Sequence, residues 1–256
     1  MRKSSPPPRP PVKMTLEEIA ARLRRADIPN ARLEARWLLG DAPDEATLAE
    51  WVRRREAGEP LQYVEGFAFF MGRRFRVDER VLIPRPDTEI LAERALQYLE
   101  ALPAPRVLDL CTGSGVLAVT IAAQRPDARV VACDISEEAL CVARENAAGL
   151  NVAFARGAFD VIVCNPPYLT AEDMLSLQRE VRYEPALALR GGADGLDFYR
   201  RIARELPVRL RRAAFFEVGA GQARDVAQIL RAALPGRCEI ARDLAGIERV
   251  VSIERI

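Results

Sequence analysis

Three periods of hydrophobic and polar positions follow one another along the chain. From 15 to about 58 the apolar residues recur every three or four positions. Thr15-Leu16-Glu17-Glu18 has the form of a capping box, and Leu16, Ile19, Ala20 and Leu23 then share one helical face. Asn30 stands where it would cap a second helix carrying Leu33, Trp37 and Leu38. Asp44 would cap a third, with Leu48, Trp51 and Val52, which Gly58 ends. The pattern then turns aromatic and β-branched through Tyr63, Phe67, Phe69, Phe70, Phe75, Val77, Val81 and Ile83, interrupted by Gly72. It predicts a β-hairpin between two domains. A helix with Leu91, Ala95, Tyr98 and Leu99 inward follows, capped by Asp87 or Thr88.

Beyond 106 short apolar runs alternate with helical stretches, the pattern of an α/β domain with a parallel sheet and helices on both faces. Strands are expected at 107–110, 130–134, 152–155, 159–164 and 213–218. Helices are expected from the Gly113-Ser114-Gly115 turn to about 124, after Ser136, around 198–205, and through Val226, Ile229 and Leu230. Residues 239–240 and 250–253 can close the sheet as a hairpin. The expected organisation is a disordered Pro-rich tail over 1–13, a helical domain over 14–60, a hairpin linker over 61–84 and the α/β domain over 85–256.

Composition narrows the class without naming a reaction. The chain has 256 residues, 49% hydrophobic and 29% charged, as in a globular protein with a sizeable core. A net charge of +1 gives no global field for nucleic acid or an anionic membrane. The arginines of the helical module, Arg22, Arg24, Arg25, Arg53, Arg54 and Arg55, are expected to form a solvated face. There is no histidine, so the commonest general base and metal ligand are missing. Five scattered cysteines without a C-x-x-C pair fit reduced thiols in the cytoplasm, with no metal expected. No signal peptide and no membrane span are expected.

The candidate chemistry lies where strands are expected to end. Phe159-Asp160-Val161-Ile162-Val163-Cys164 runs into Asn165-Pro166-Pro167-Tyr168, and two prolines cannot continue a ladder. Asn165 is thus held at the carboxyl end of a central strand, where open α/β sheets place ligands. Its side-chain oxygen and the Pro166 carbonyl make two close acceptors suited to an NH2 group, with Tyr168 as an aromatic wall. The same tetrapeptide also reads as a strand-ending turn. Upstream, Cys111-Thr112-Gly113-Ser114-Gly115 lets backbone approach a ligand, and Asp134 ends the next strand where a carboxylate can accept ribose hydroxyls. Glycines and acid alone fit either NAD or S-adenosylmethionine. Paired acceptors favour methyl transfer to an amide or exocyclic amine, since hydride transfer needs none.

These motifs resemble those of the S-adenosylmethionine-dependent methyltransferases that modify a glutamine of peptide chain release factors. The resemblance runs from about Thr15 to the carboxyl end. It rests on Val81-Leu82-Ile83-Pro84-Arg85-Pro86-Asp87-Thr88-Glu89, Asp109-Leu110-Cys111-Thr112-Gly113-Ser114-Gly115, Asp134-Ile135-Ser136, Asn165-Pro166-Pro167-Tyr168 and Gly191-Gly192-Ala193-Asp194-Gly195-Leu196. It implies a Rossmann-like class I methyltransferase sheet with a reversed seventh strand, a small all-helical N-terminal domain that helps hold the release factor, and a β-hairpin linker. It implies transfer to the N5 amide nitrogen of a glutamine in the Gly-Gly-Gln loop. The cofactor is then S-adenosyl-L-methionine, leaving as S-adenosyl-L-homocysteine. Implied cofactor contacts are Asp109, Cys111, Thr112, Gly113, Ser114, Gly115, Asp134, Ile135 and Asn165. Implied catalytic residues are Asn165, Pro166 and Tyr168, with Pro167, Arg85, Thr88 and Glu89 toward the substrate. A cytoplasmic monomer acting on release factors, with no nucleic-acid substrate and no membrane, is expected. Left open are a ribosomal-protein glutamine as substrate, an NAD-type oxidoreductase, and an inactive binding protein.

Two departures stand out. Cys111 occupies a position often glycine in the family. Between the strands expected at 152–155 and 159–164 too few residues remain for a parallel crossover, which takes a dozen or more. Either a segment is missing near 156–159 or the third strand is not parallel. A missing segment is favoured, because the family carries a longer loop there that covers adenine.

Overall fold

The computed structural model describes residues 14–153 and 158–256. The expected tail over 1–13, and the 156–157 part of the place near 156–159 where a segment is expected to be missing, lie outside the described residues. The chain divides into two compact units, Met1–Gly66 and Phe67–Ile256.

The smaller unit is helical: α1 (Leu16–Arg25), α2 (Ala31–Asp41), α3 (Glu45–Glu56) and α4 (Leu61–Glu65). The capping box forms. Thr15 Oγ1 accepts from the Glu18 N–H at 3.3 Å, and Glu18 Oε2 accepts from the Thr15 N–H at 2.8 Å. Asp44 caps α3 by accepting from the Thr47 N–H at 2.7 Å. Asn30 precedes α2 in a left-handed conformation and makes no side-chain cap bond. The buried stripe of α2 is Ala31, Ala35 and Leu38, whereas Leu33 and Trp37 are exposed, a rotation from the expected face. These small residues pack with Ile19, Leu23, Leu48, Val52 and Val64. Arg55 departs from the expected solvated face. It is 1% exposed, with Nε 2.6 Å from Glu34 Oε2 and Nη1 donating to the Glu59 carbonyl. Residues 61–65 are helix where hairpin was expected, since Pro60 supplies a fixed φ before α4 and Gly66 ends it in the left-handed region.

The larger unit opens with the hairpin β1 (Phe67–Phe70) and β2 (Arg73–Arg76). Phe70 and Phe75 are buried in one cluster with Leu91, Leu99 and Leu117, so the hairpin packs into the larger unit's own core. There follow α5 (Pro86–Leu99), β3 (Arg106–Leu110), α6 (Val116–Gln124), β4 (Arg129–Cys133), α7 (Glu137–Asn146), β5 (Val152–Ala153) and β6 (Phe159–Cys164). Then come α8 (Ala186–Leu189), α9 (Asp197–Arg209), β7 (Leu210–Glu217), α10 (Ala223–Ala233), β8 (Gly236–Arg242) and β9 (Glu248–Arg255). Helix α5 is capped by position at Arg85, with Pro86 in its first turn, and not by Asp87 or Thr88.

The strand order is β5-β4-β3-β6-β7-β9-β8. Strands β5, β4, β3, β6 and β7 are parallel, and β9 runs antiparallel between β7 and β8. Alternate strand residues go to opposite faces. Val107, Val161 and Val163 meet α5 and α6 on one face, and Leu108, Ile162 and Phe216 meet α9 and α10 on the other. As the parallel assignment of the third strand requires, β5 and β6 lie on opposite sides of the β4–β3 pair.

Candidate active site

The carboxyl ends of β3, β4 and β6 open into one cavity beside the segment leading into α5. Among its lining residues are Arg85, Thr88, Cys111, Thr112, Gly113, Ser114, Asp134, Ile135, Asn165 and Pro167. Ten of the expected site residues therefore come together. The strand order changes direction between β3 and β6, which leaves the crevice where doubly wound sheets bind ligands.

The turn after β3 is held from below and from the side. Asp109 is fully buried and its Oδ2 accepts from Thr112 Oγ1 at 2.6 Å and from the Ala118 N–H at 3.0 Å. Burial pushes its carboxyl up to about 7 against those two bonds. Asp109 thus pins the turn to α6 and does not line the cavity, because its side chain is directed into the protein. Asp134 does line it. Its Oδ2 accepts from the Gly113 N–H at 2.9 Å and its Oδ1 from the Ser136 N–H at 3.0 Å, leaving further lone pairs on both oxygens. Ile135 beside it is 75% exposed, an apolar surface at the rim. At Gly113 a Cβ would meet nothing within 4 Å, so the backbone borders open space. Exposed backbone at a glycine, a carboxylate with spare acceptors and an apolar rim together fit an adenosine-bearing cofactor.

The Asn165 side chain is tied to α5. Its Nδ2 donates to Thr88 Oγ1 at 3.1 Å, and Thr88 Oγ1 donates to Glu217 Oε2 at 2.6 Å. Among the described residues nothing donates to Asn165 Oδ1 or to the Pro166 carbonyl. Pro166 and Tyr168 are not among the residues lining the cavity, although Pro167 between them is. The Tyr168 hydroxyl donates to Glu217 Oε1 at 3.4 Å, and its carbonyl accepts from Gln222 Nε2 at 2.9 Å. A Cβ on Gly195 would come within 2.3 Å of that carbonyl, which explains one glycine of the Gly191–Leu196 motif by close approach. Two further expected residues also lie off the cavity. Glu89 Oε1 accepts from the Met71 N–H at 2.7 Å and so ties α5 to the hairpin, while Gly115 starts α6 against Ala143.

Sequence reasoning passed over three side chains. Glu217 ends β7 at 1% exposure and its carboxyl is pushed up to about 7 by burial. Its signal was a lone carboxylate in the apolar run Ala213-Ala214-Phe215-Phe216-Glu217-Val218. Glu184 is buried too; it pairs with Arg85 and accepts from the Ile83 N–H at 3.1 Å. Gln222 gave no signal.

Fold and site define an S-adenosylmethionine-dependent methyltransferase, and the family model described as Methyltransferase small domain matches residues 88–184. The chain is 42% identical to the release factor glutamine methyltransferase of Cereibacter sphaeroides, over 93% of this chain and 96% of that one. It is 39% identical to that of Deinococcus radiodurans, over 94% and 97%. The chain belongs to the release factor glutamine methyltransferase family, which sets aside the oxidoreductase alternative. Among solved structures, the T. thermophilus 16S rRNA methyltransferase in complex with AdoMet and guanosine shares the fold, with a TM-score of 0.52 and 20% identity over 74% of this chain and 50% of that one. The Cereibacter alignment is 274 positions long against a chain of 256, so that relative carries residues with no counterpart here. Among the described residues no helix is long and apolar enough to cross a membrane.

Proposed function

We propose that this chain transfers a methyl group to the N5 side-chain amide nitrogen of a glutamine in a peptide chain release factor. The observation that carries this is Asn165, which lines the cavity with its Nδ2 engaged by Thr88 and its Oδ1 without a protein donor among the described residues. The relatives' shared name supports the choice of substrate. When bound, S-adenosylmethionine supplies an electrophilic methyl group on a sulfonium and leaves as S-adenosylhomocysteine. Asp134, Ile135, Cys111, Thr112, Ser114 and the Gly113 backbone would hold it.

An amide nitrogen is a poor nucleophile because its lone pair is delocalised into the carbonyl. Asn165 Oδ1 and the Pro166 carbonyl would each accept one of its hydrogens and aim the nitrogen. Fixed orientation of this kind contributes up to about 7–11 kcal/mol. As the nitrogen gains positive charge the same acceptors stabilise it, and after the transfer one of its hydrogens leaves as a proton to solvent. No base is needed before the transfer, which suits a site without histidine. Tyr168 supports the turn from behind, and Arg85 with Glu184 braces the segment leading into α5. The helical unit would help hold the release factor. This reading takes the chain to act as a monomer in the cytoplasm, where release factors act.

Asn165→Ala should keep the fold and cofactor affinity and lower single-turnover methylation of a purified release factor by about 10²–10³-fold, the usual cost of one lost polar partner in a closed site. Asn165→Asp keeps an acceptor but adds a charge, and should hold the cofactor while transferring poorly. Wild-type rates in Asn165→Ala would reduce Asn165 to a turn residue.

A further inference from the structure

The buried carboxylate of Glu217 plays no part in the transfer described above, yet the Asn-Pro-Pro-Tyr turn is built around it. Glu217 ends β7 beside β6, where Phe216 pairs with Cys164. Its two oxygens hold the two ends of the turn's support: Oε2 takes the Thr88 hydroxyl at 2.6 Å and Oε1 the Tyr168 hydroxyl at 3.4 Å. Its carbonyl takes the Tyr199 hydroxyl at 2.7 Å.

Proton counting gives this arrangement a direction. A threonine hydroxyl has one hydrogen, and an ionised carboxylate only accepts. Once Thr88 gives its hydrogen to Glu217, it has only lone pairs to offer Asn165, and so meets the Nδ2 side of the amide. We propose that Glu217 is a positioning residue that sets the hydrogen-bond polarity of the site: through Thr88 it turns the Asn165 amide so that Oδ1, and not Nδ2, is presented to the substrate. This rests on the acceptor role proposed for Asn165. A protonated Glu217 would donate to Thr88, free the threonine hydrogen for Asn165 Oδ1, and turn the amide round. The substrate NH2 would then face a donor.

The groups around Glu217 are Asp87 and Thr88 from α5, Arg249 from β9, Tyr168 from the turn after β6 and Tyr199 from α9. Burial raises the carboxyl most and Asp87 adds to it, while the Thr88 bond, Arg249 and Tyr168 pull it down, leaving it at about 7. The polarity of the turn should therefore change across neutral pH.

The experiment has two arms. In the first, 15N-asparagine is incorporated into the full-length chain, which has four asparagines, and Asn165→Ala identifies the Asn165 amide signal. That signal should titrate with a midpoint near 7 in the wild type, keep doing so in Thr88→Ser, and be independent of pH in Glu217→Gln and Thr88→Val. In the second, single-turnover methylation of a release factor is followed from pH 6 to 8.5 with the same variants. The wild-type rate should rise with pH through one ionisation. Glu217→Gln should be flat with pH, with unchanged S-adenosylmethionine affinity, and Thr88→Val, which offers Asn165 no acceptor, about 10²-fold slower at pH 8. The folding of Glu217→Gln has a built-in comparison, since the wild type below neutral pH also carries an uncharged group of the same shape there. An Asn165 signal unaffected by pH and by Glu217→Gln overturns the proposal. A titrating signal without methylation at any pH leaves it standing and overturns the function proposed above.

Discussion

Cys111 sits at the first bend after β3 with a φ of +62°, where an L side chain collides with its own backbone. The conformation costs about 1–2 kcal/mol. Glycine would remove that cost but lose about 0.5–1 kcal/mol through the freedom it gains when unfolded. Cys111→Gly should therefore raise stability by up to about 1 kcal/mol, seen in calorimetry as a Tm higher by a few degrees. A lower Tm would mean that thiol packing beside Cys133 and Cys164 outweighs the strain. At Asp134 two roles coincide, because its oxygens already hold the Gly113 and Ser136 N–H groups. Asp134→Ala should weaken S-adenosylmethionine binding by at least about 1.5–3 kcal/mol, the range for one charge-assisted bond. An unchanged Kd in titration calorimetry would place the cofactor elsewhere.

At the scale of elements, the segment entering α5 and the segment after the Asn-Pro-Pro-Tyr turn are joined by Glu184. It reaches across about a hundred residues to the Ile83 N–H and the Arg85 guanidinium. Removing it leaves a buried N–H unpaired, at about 1–3 kcal/mol, and a third-exposed arginine whose loss is softened by solvent. Glu184→Ala should lower unfolding free energy in urea by about 2–3 kcal/mol, and Glu184→Gln by less, since the amide oxygen still accepts from Ile83. Equal losses for the two variants would make volume, not hydrogen bonding, the cause. The sequence located α1, α3 and α10 by their amphipathic period, α6 by the glycine turn that starts it, and β3, β4 and β6 as short apolar runs. It misplaced part of the face of α2, where Ala31 and Ala35 turn inward with Leu38 while Leu33 and Trp37 stay exposed. It missed α4, five residues long and carrying the same aromatic composition as the hairpin after it. Motif residues along the backbone of the site were legible. Asp109 and Glu89 were assigned to ligands because a sequence does not tell a carboxylate facing a cavity from one facing its own backbone. Glu217 and Glu184 escaped because their partners lie 129 and 99–101 residues away.

For the molecule as a whole, the larger unit keeps two carboxyls in its interior under the site, Asp109 and Glu217, both raised to about 7 mainly by burial. In the unfolded chain each would titrate near 4. Between these values the folded protein holds protons that the unfolded chain has released, so stability falls as pH rises from about 4 to 7 and levels off above. The groups with lowered pKa values, such as Asp44, Glu50 and Glu56, contribute in the opposite direction, but their contribution is lost only well below pH 5. With no histidine in the chain, the two buried carboxyls dominate the window from pH 5.5 to 7.5. Each should favour the folded state at pH 5.5 over pH 7.5 by about 2 kcal/mol. Calorimetry on the intact chain should then show a transition several degrees higher at pH 5.5 than at 7.5, the reverse of a protein held by surface ion pairs. Asp109→Asn should remove about half of that difference, because the neutral amide does not titrate. The site would thus be most active where its scaffold is least stable, since the ionised Glu217 that orients Asn165 is the form whose burial is costly. A transition that does not move, or moves down, between pH 7.5 and 5.5 would mean that water or local rearrangement solvates both carboxylates, and the polarity control assigned to Glu217 would lose its titration.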